Sequence, residues 1–143
     1  MGSSEAAGAT ILVVEDNARL LALLKRELER AGYRVVPALS GSEMMKQLRL
    51  ALPDLVVLDV GLPDMDGRDL LAALKRDPRT SHVPVLVWSG REPTSDRRIA
   101  LELGAEDYVE KGAPSVLTPK IERILLRISE RELVKARESL PKA

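Results

Sequence analysis

The chain has no cysteine and no phenylalanine, one tryptophan, two tyrosines, one histidine, and no excess charge of either sign. Each shortage removes a class of function. Without cysteine there is no disulfide framework, no thiolate nucleophile and no thiolate-bound metal, and a reducing, cytoplasmic setting is expected. Basic residues number 22 and acidic residues 22, so no net field draws a polyanion. So few aromatics build no stacking platform for single strands, and no direct nucleic-acid contact is expected. No apolar run approaches the roughly 20 residues of a membrane span, so no membrane partner is expected either. The opening "MGSSEAAGAT" lacks the apolar centre of a signal peptide, and Met1 to Ala9 reads as a disordered leader.

What remains is a single domain's length, 143 residues, with a core that must be built from leucine, valine and alanine. From Thr10 onward, short β-branched runs alternate with longer amphipathic ones, the pattern of parallel strands joined by crossover helices. "TILVV", "YRVVPAL", "DLVVLD", "VPVLVWS" and "EDYVEK" read as five strands. The third and fourth are apolar on both faces, as strands covered by helices on both sides should be. Pro37 fits an edge better than a central ladder and marks the second strand as peripheral. The first helix covers about Ala18 to Ala31, with Leu20, Leu21, Leu24 and Leu28 on one face and Gly32 as its stop. Ser40 or Ser42 caps the second, "GRDLLAALKRD" forms the third, and the fourth follows Ser95. The last is expected to start near Thr118, with Thr118 as N-cap and Pro119 in the first helical position. The fold class is α/β: a five-stranded parallel sheet with helices on both faces.

"LVVLDVGLPDMDG" poses the functional question, because a buried strand ends there on Asp59. Such an aspartate either caps the next turn or is held for chemistry, since an ionised carboxylate is costly to bury unless something cationic meets it. In an open parallel sheet, ligands bind beyond the carboxyl ends of the strands. The residues collected there are Glu15, Asp16 and Asn17 after the first strand, Asp59 after the third, Ser89 and Gly90 after the fourth, and Lys111 after the fifth. Crowded carboxylates repel unless a cation sits among them, and a hard site with few dedicated oxygen ligands suits Mg²⁺. Such a metal commonly also binds a phosphoryl group, whose remaining charge calls for a lysine and a hydroxyl, here Lys111 and Ser89. Asp59, alone at the tip of a central strand, is the candidate nucleophile for an aspartyl phosphate.

Competing motifs are weaker. "DMDG" resembles the nucleophile loop of haloacid-dehalogenase-type phosphatases, but that loop directly follows a strand, whereas Asp64 follows Pro63 in a turn. There is no nucleotide P-loop and no EF-hand ladder. His82 is a lone loop histidine, read as a solvated side chain, and Met44 and Met45 as core filler.

"ILVVEDN", "LVVLDVGLPDMDG", "VLVWSG" and "GAEDYVEKG", in that order and spacing, resemble the receiver domain of bacterial two-component response regulators, over about Thr10 to Ile128. The resemblance implies a flavodoxin-like sheet of order 2-1-3-4-5, of the kind in the chemotaxis-Y-like receivers. It implies a phosphoprotein in a phosphorelay: Asp59 takes a phosphoryl group from a histidine kinase or phosphotransfer protein. The protein is then a signalling phosphoacceptor, and not an enzyme acting on a separate substrate. Asp16, Asp59 and the backbone carbonyl of Gly61 would bind Mg²⁺, with Glu15 acting through water. Ser89 and Lys111 would hold the phosphoryl oxygens. Ser89 and Tyr108 would form the switch pair that reports the modification to the face of helix four, strand five and helix five, and so to a downstream output domain or protein. The alternative is a pseudo-receiver, the same fold used as an interaction module without phosphorylation.

The sequence departs from this family at two places. Lys111 is followed by Gly112 where a cis proline is common; for glycine a cis bond costs roughly 2.5–4 kcal/mol, which predicts a trans peptide with the loop rerouted through the freedom of Gly112 in φ. Gly61 leaves bare a position that often carries a side chain near the phosphoryl group. Beyond the receiver segment, residues 129–143 read as a helical extension or linker. Leu126, Leu133 and Leu140 recur there at seven-residue spacing, a face open to a homodimer through the C-terminal helix or to an output segment.

Overall fold

The computed structural model describes residues 8–90 and 93–141, with the side chains of residues 93–96 left aside. Five strands, β1 (Thr10–Val14), β2 (Arg34–Ala38), β3 (Leu55–Asp59), β4 (Val85–Ser89) and β5 (Asp107–Glu110), form one parallel sheet of order β2-β1-β3-β4-β5. Between and after them run α1 (Ala18–Arg30), α2 (Gly41–Leu50), α3 (Gly67–Arg76), α4 (Pro93–Glu102) and α5 (Leu117–Ser139). The expected leader falls largely outside the described residues. Its last two residues do not: Gly8 N donates to Gly32 O at 2.9 Å and Ala9 O accepts Arg34 N at 2.9 Å.

Strand alternation divides the core into two layers. One face of the sheet packs Leu12, Val14, Val56, Leu58, Val85 and Val87 against α2, α3 and α4. The other packs Ile11, Val13, Leu55, Val57, Leu86 and Trp88 against α1 and α5. β1, β3 and β4 are therefore apolar on both faces, whereas β2, with Pro37, lies at the sheet's edge. α1 buries Leu21, Leu24 and Leu28, each contributing about 1.5–3 kcal/mol on removal from water. It ends where Gly32 adopts φ +97°, which lets Tyr33 N return to Leu28 O at 3.1 Å. Among the described residues, no helix is long and apolar enough to cross a membrane.

Two helix starts differ from expectation. α4 begins at Pro93, ahead of Ser95. α5 begins at Leu117, after a 3₁₀ turn over Pro114–Val116, so Thr118 lies inside the helix and is not its cap. Leu117 is fully buried against the α1/α5 layer. Burying a leucine is worth about 1.5–3 kcal/mol against roughly 1 kcal/mol for a good cap, so the core sets the boundary. The cost is visible: Thr118 Oγ1 is buried without a hydrogen-bond partner.

Candidate functional site

The chain leaves β1 toward one side of the sheet and returns to β3 on the other, so a crevice opens between the ends of β1 and β3. Val14 is registered with Leu58, which puts the next residues, Glu15 and Asp59, side by side at the carboxyl edge. Asn17 caps α1, its side chain accepting Leu20 N at 3.0 Å, while its own N–H donates to Glu15 Oε2 at 3.1 Å. This tight turn is what holds Glu15 in the crevice with Asp16 exposed beside it. Oxygens of Glu15, Asp16 and Asp59 all lie within 4.8 Å of one another.

Asp59 is held at both oxygens. Oδ1 accepts Gly61 N at 2.9 Å and Oδ2 accepts Lys111 Nζ at 3.0 Å. Lys111 comes from the end of β5, where its N–H donates to Ser89 O at 2.7 Å and continues the β4–β5 ladder. Its ammonium also stands 2.7 Å from Glu15 Oε1. The ammonium of Lys111 is thus shared between the Glu15 and Asp59 carboxylates.

Among the described residues the charge in the crevice is unbalanced, with the carboxylates of Glu15, Asp16 and Asp59 facing the one ammonium of Lys111. Burial pushes the Glu15 carboxyl up, and the nearby Asp59 adds to this, against the pull of Lys111 and the Asn17 amide. For Lys111, burial acts downward, but Glu15 and Asp59 more than offset it and leave the ammonium's pKa raised. An all-oxygen donor set with excess negative charge is what a hard divalent cation satisfies, so these residues fit Mg²⁺.

Ser89 and Tyr108 are both buried, at 1% and 3% exposure. Val87 is registered with Tyr108, so by strand alternation Ser89 and Tyr108 share the face that packs α4. Every described peptide bond is trans, the Lys111–Gly112 bond included. The expected rerouting through φ does not occur, however. Gly112 is not among the glycines of positive φ, and a Cβ placed on it would meet nothing within 4 Å. Lysine's long stem alone brings the ammonium to the carboxylates. At Gly61 a Cβ would sit 3.5 Å from Asp59 Oδ1, so its absence opens space directly over the carboxylate.

Of the other residues singled out, Met44 is core and Met45 packs at its margin, while His82 is exposed and lines a groove with Asp54 and Leu126 at the opposite end of the sheet. Sequence reading passed over Asp64 except as part of a rival motif. Its partners, Gly41 and Ser42, lie 23 and 22 positions upstream, and no local pattern announces such a contact.

Comparison with known proteins agrees with this geometry. The family model "Response regulator receiver domain" matches residues 11–122. The alkaline phosphatase synthesis transcriptional regulatory protein PhoP of Bacillus subtilis is 37% identical over 118 residues, 82% of this chain and 48% of its own length. The chain thus spans about half the length of the curated relatives it matches. Among solved structures, the signal receiver domain of a signal transduction histidine kinase from Syntrophus aciditrophicus is 34% identical, with TM-score 0.75, covering 95% of this chain and 99% of that one. The phosphorylated cyanobacterial phytochrome response regulator RcpA is 32% identical, with TM-score 0.69, covering 87% of this chain and 93% of that one.

Proposed function

The chain belongs to the response regulator receiver domain family, and from that premise we propose that Asp59 is its phosphoacceptor. The observation that carries the reading is the Asp59 carboxylate, 3.0 Å from Lys111 Nζ and grouped with Glu15 and Asp16 at the carboxyl edge of the sheet. In the proposed step, an Asp59 oxygen forms a bond to phosphorus as the P–N bond of a phosphohistidine breaks. The imidazole nitrogen keeps the electron pair and takes a proton. Asp16, Asp59 and the carbonyl of Gly61 would hold Mg²⁺, with Glu15 acting through water. When bound, the metal screens the carboxylates from the incoming phosphoryl oxygens.

Lys111 releases part of its contact with Asp59 Oδ2 to a phosphoryl oxygen and acts as a point charge. The Ser89 hydroxyl donates to a second oxygen. Tyr108, on the same face as Ser89, follows that movement and shifts the equilibrium of the α4–β5–α5 surface. A histidine kinase or phosphotransfer protein is the donor, and a downstream output domain or protein is the reader; the curated relative PhoP is a transcriptional regulator.

Incubation with acetyl phosphate and Mg²⁺ should add one phosphoryl group by intact mass, and Asp59→Asn should gain none. Absence of the gain in the unaltered chain, with Mg²⁺ binding intact, would leave the fold as a non-phosphorylated interaction module.

A further inference from the structure

The inward face of α5 runs on past the sheet it packs against. β3 begins at Leu55 and β4 at Val85, so Asp54 and Pro84 mark the amino end of the sheet, opposite Asp59. The stripe of α5 that meets the core, Ile121 and Ile124, is continued by Leu125 and Ile128, which are only half-buried. Beside them lies a groove of about 480 Å³, with Val83 and Pro84 at its base and α5 along one side.

The base of the groove is held by ties that do not involve α5. Asp54 N donates to Thr10 O at 2.8 Å and Asp54 Oδ2 accepts Thr10 N at 2.7 Å, which locks the starts of β1 and β3 together. Lys75 Nζ donates to Ser81 O at 3.2 Å and to Val83 O at 2.7 Å, pinning the two residues that flank His82. A preformed groove, apolar within and with a few polar groups at its margin, has little ordering left to do when it is filled.

Charge at the margin defines the chemistry of the occupant. Asp54 and Glu132 line the groove, and among the described residues no lysine or arginine does. The chain as a whole carries 22 basic and 22 acidic residues, so this groove is anionic on a molecule without net charge. Among the described residues neither Asp54 nor Glu132 has an ion-pair partner, although Glu29, Glu102 and Asp107 all do. A cation on an apolar stem meets both features: the stem takes Leu125, Ile128 and Pro84 out of water while its charge stays at the margin beside the carboxylates. Lysine and arginine have that form, and the planar, weakly hydrated guanidinium of arginine matches a carboxylate best.

We propose that this groove docks a basic peptide segment of a partner protein, with apolar side chains on its base and arginine or lysine against Asp54 and Glu132. The surface lies at the far end of the sheet from Asp59, so docking there does not depend on the phosphoacceptor reading.

His82 lines the groove and is the only histidine of the chain, so its imidazole proton signals give an isolated NMR probe of occupancy. A blocked hexapeptide alternating leucine and arginine should shift them along a saturable curve. A leucine–glutamate peptide and a serine–arginine peptide, which lack the charge and the apolar stems respectively, should each bind about tenfold more weakly or worse. Asp54→Asn keeps an oxygen for Thr10 N, and Glu132→Gln alters an exposed helix position; each should weaken binding about threefold. Glu138→Gln, on the same helix but outside the groove, should change nothing. Asp16→Asn should also leave the affinity unchanged, which separates this groove from the acidic crevice at the other end of the sheet. The absence of a saturable His82 shift overturns the proposal, as does equal binding of either control peptide or an affinity indifferent to both groove carboxylates. So do His82 signals that move with protein concentration alone, which would assign the groove to a second copy of this chain.

Discussion

The Asp64 carboxylate accepts the Gly41 amide at 3.0 Å, tying the loop that follows β3 to the first turn of α2. Its other oxygen accepts Ser42 N at 3.1 Å. Ser40 Oγ takes Glu43 N at 3.1 Å, and Glu43 Oε2 reaches back to Leu39 N at 2.6 Å. The amides at the start of α2 are thus met partly by a capping box and partly by a residue from another element. Met65 completes the join by packing where a side chain on Gly41 would be, its Sδ 2.8 Å from that Cβ position.

Asp64 should therefore matter to a site it does not touch. The amides of Gly41 and Ser42 hold its carboxyl below the ordinary 3.8, so the tie is present at neutral pH and is lost only as pH falls through a value lower than that. Asp64→Ala should lower the melting temperature and weaken Mg²⁺ binding, because Gly61 belongs to the loop that is released. Asp64→Asn, which keeps one acceptor oxygen, should fall between. Equal Mg²⁺ affinity in all three chains would show that the loop holds its shape without the tie.

Glu15 offers a test in pH. Burial raises its pKa above the ordinary 4.5, so the folded chain binds this proton more tightly than the unfolded chain. Stability from that proton is fully present below the unfolded value and is lost as pH rises through the raised folded value. Glu15→Gln does not titrate. In Mg²⁺-free buffer its melting temperature should exceed that of the unaltered chain near neutral pH, and the gap should shrink on acidification toward 4.5. A gap that widened in acid would reverse the sign assigned to Glu15.

The parts of this molecule that could be read from its sequence are those governed by neighbours in the chain. Continuous apolar runs marked β3 and β4 as central, Pro37 marked β2 as an edge, and collecting strand-tip residues brought Glu15, Asp16, Asp59 and Lys111 into one crevice. Misreadings came where distant packing decides. Thr118 and Pro119 carry a good local start signal, but Leu117 is drawn into the core and moves the helix start with it. Gly112 was expected to use its conformational freedom, yet freedom is not a requirement, and the lysine stem spans the distance without it.

Two glycines near the site should respond in opposite ways to alanine. Gly67 N donates to Val60 O at 3.2 Å, and a Cβ on Gly67 would lie 2.2 Å from Val60 Cα, a backbone atom that cannot yield. Gly67→Ala should cost on the order of 3 kcal/mol and disturb the loop beyond Asp59. Gly112 is exposed, lies outside the left-handed region and has open space around it. Gly112→Ala should stabilise by about 0.4–1 kcal/mol through the unfolded chain and leave phosphoryl uptake intact. Denaturant unfolding of the two variants gives both signs in one experiment.

Trp88 supplies a direct test of the proposed Mg²⁺ site. It is registered with Asp59 on the neighbouring strand, and registered partners point to the same face about 4.8 Å apart, so its indole lies alongside the carboxylate. The ring is fully buried, and its Nε1 has no hydrogen-bond partner, which predicts emission at the blue edge of the tryptophan range. A cation placed among Glu15, Asp16 and Asp59 changes the field at that ring without changing its exposure. Mg²⁺ should therefore alter the intensity of Trp88 emission along a saturable curve with little shift in wavelength. Asp16→Asn removes an exposed carboxylate whose loss leaves the core untouched, and it should flatten the titration while preserving the starting spectrum. An unchanged curve in that variant would show that Asp16 is not a ligand. A changed starting spectrum would instead mean that Asp16 supports the fold around the strand tips, which its exposure argues against.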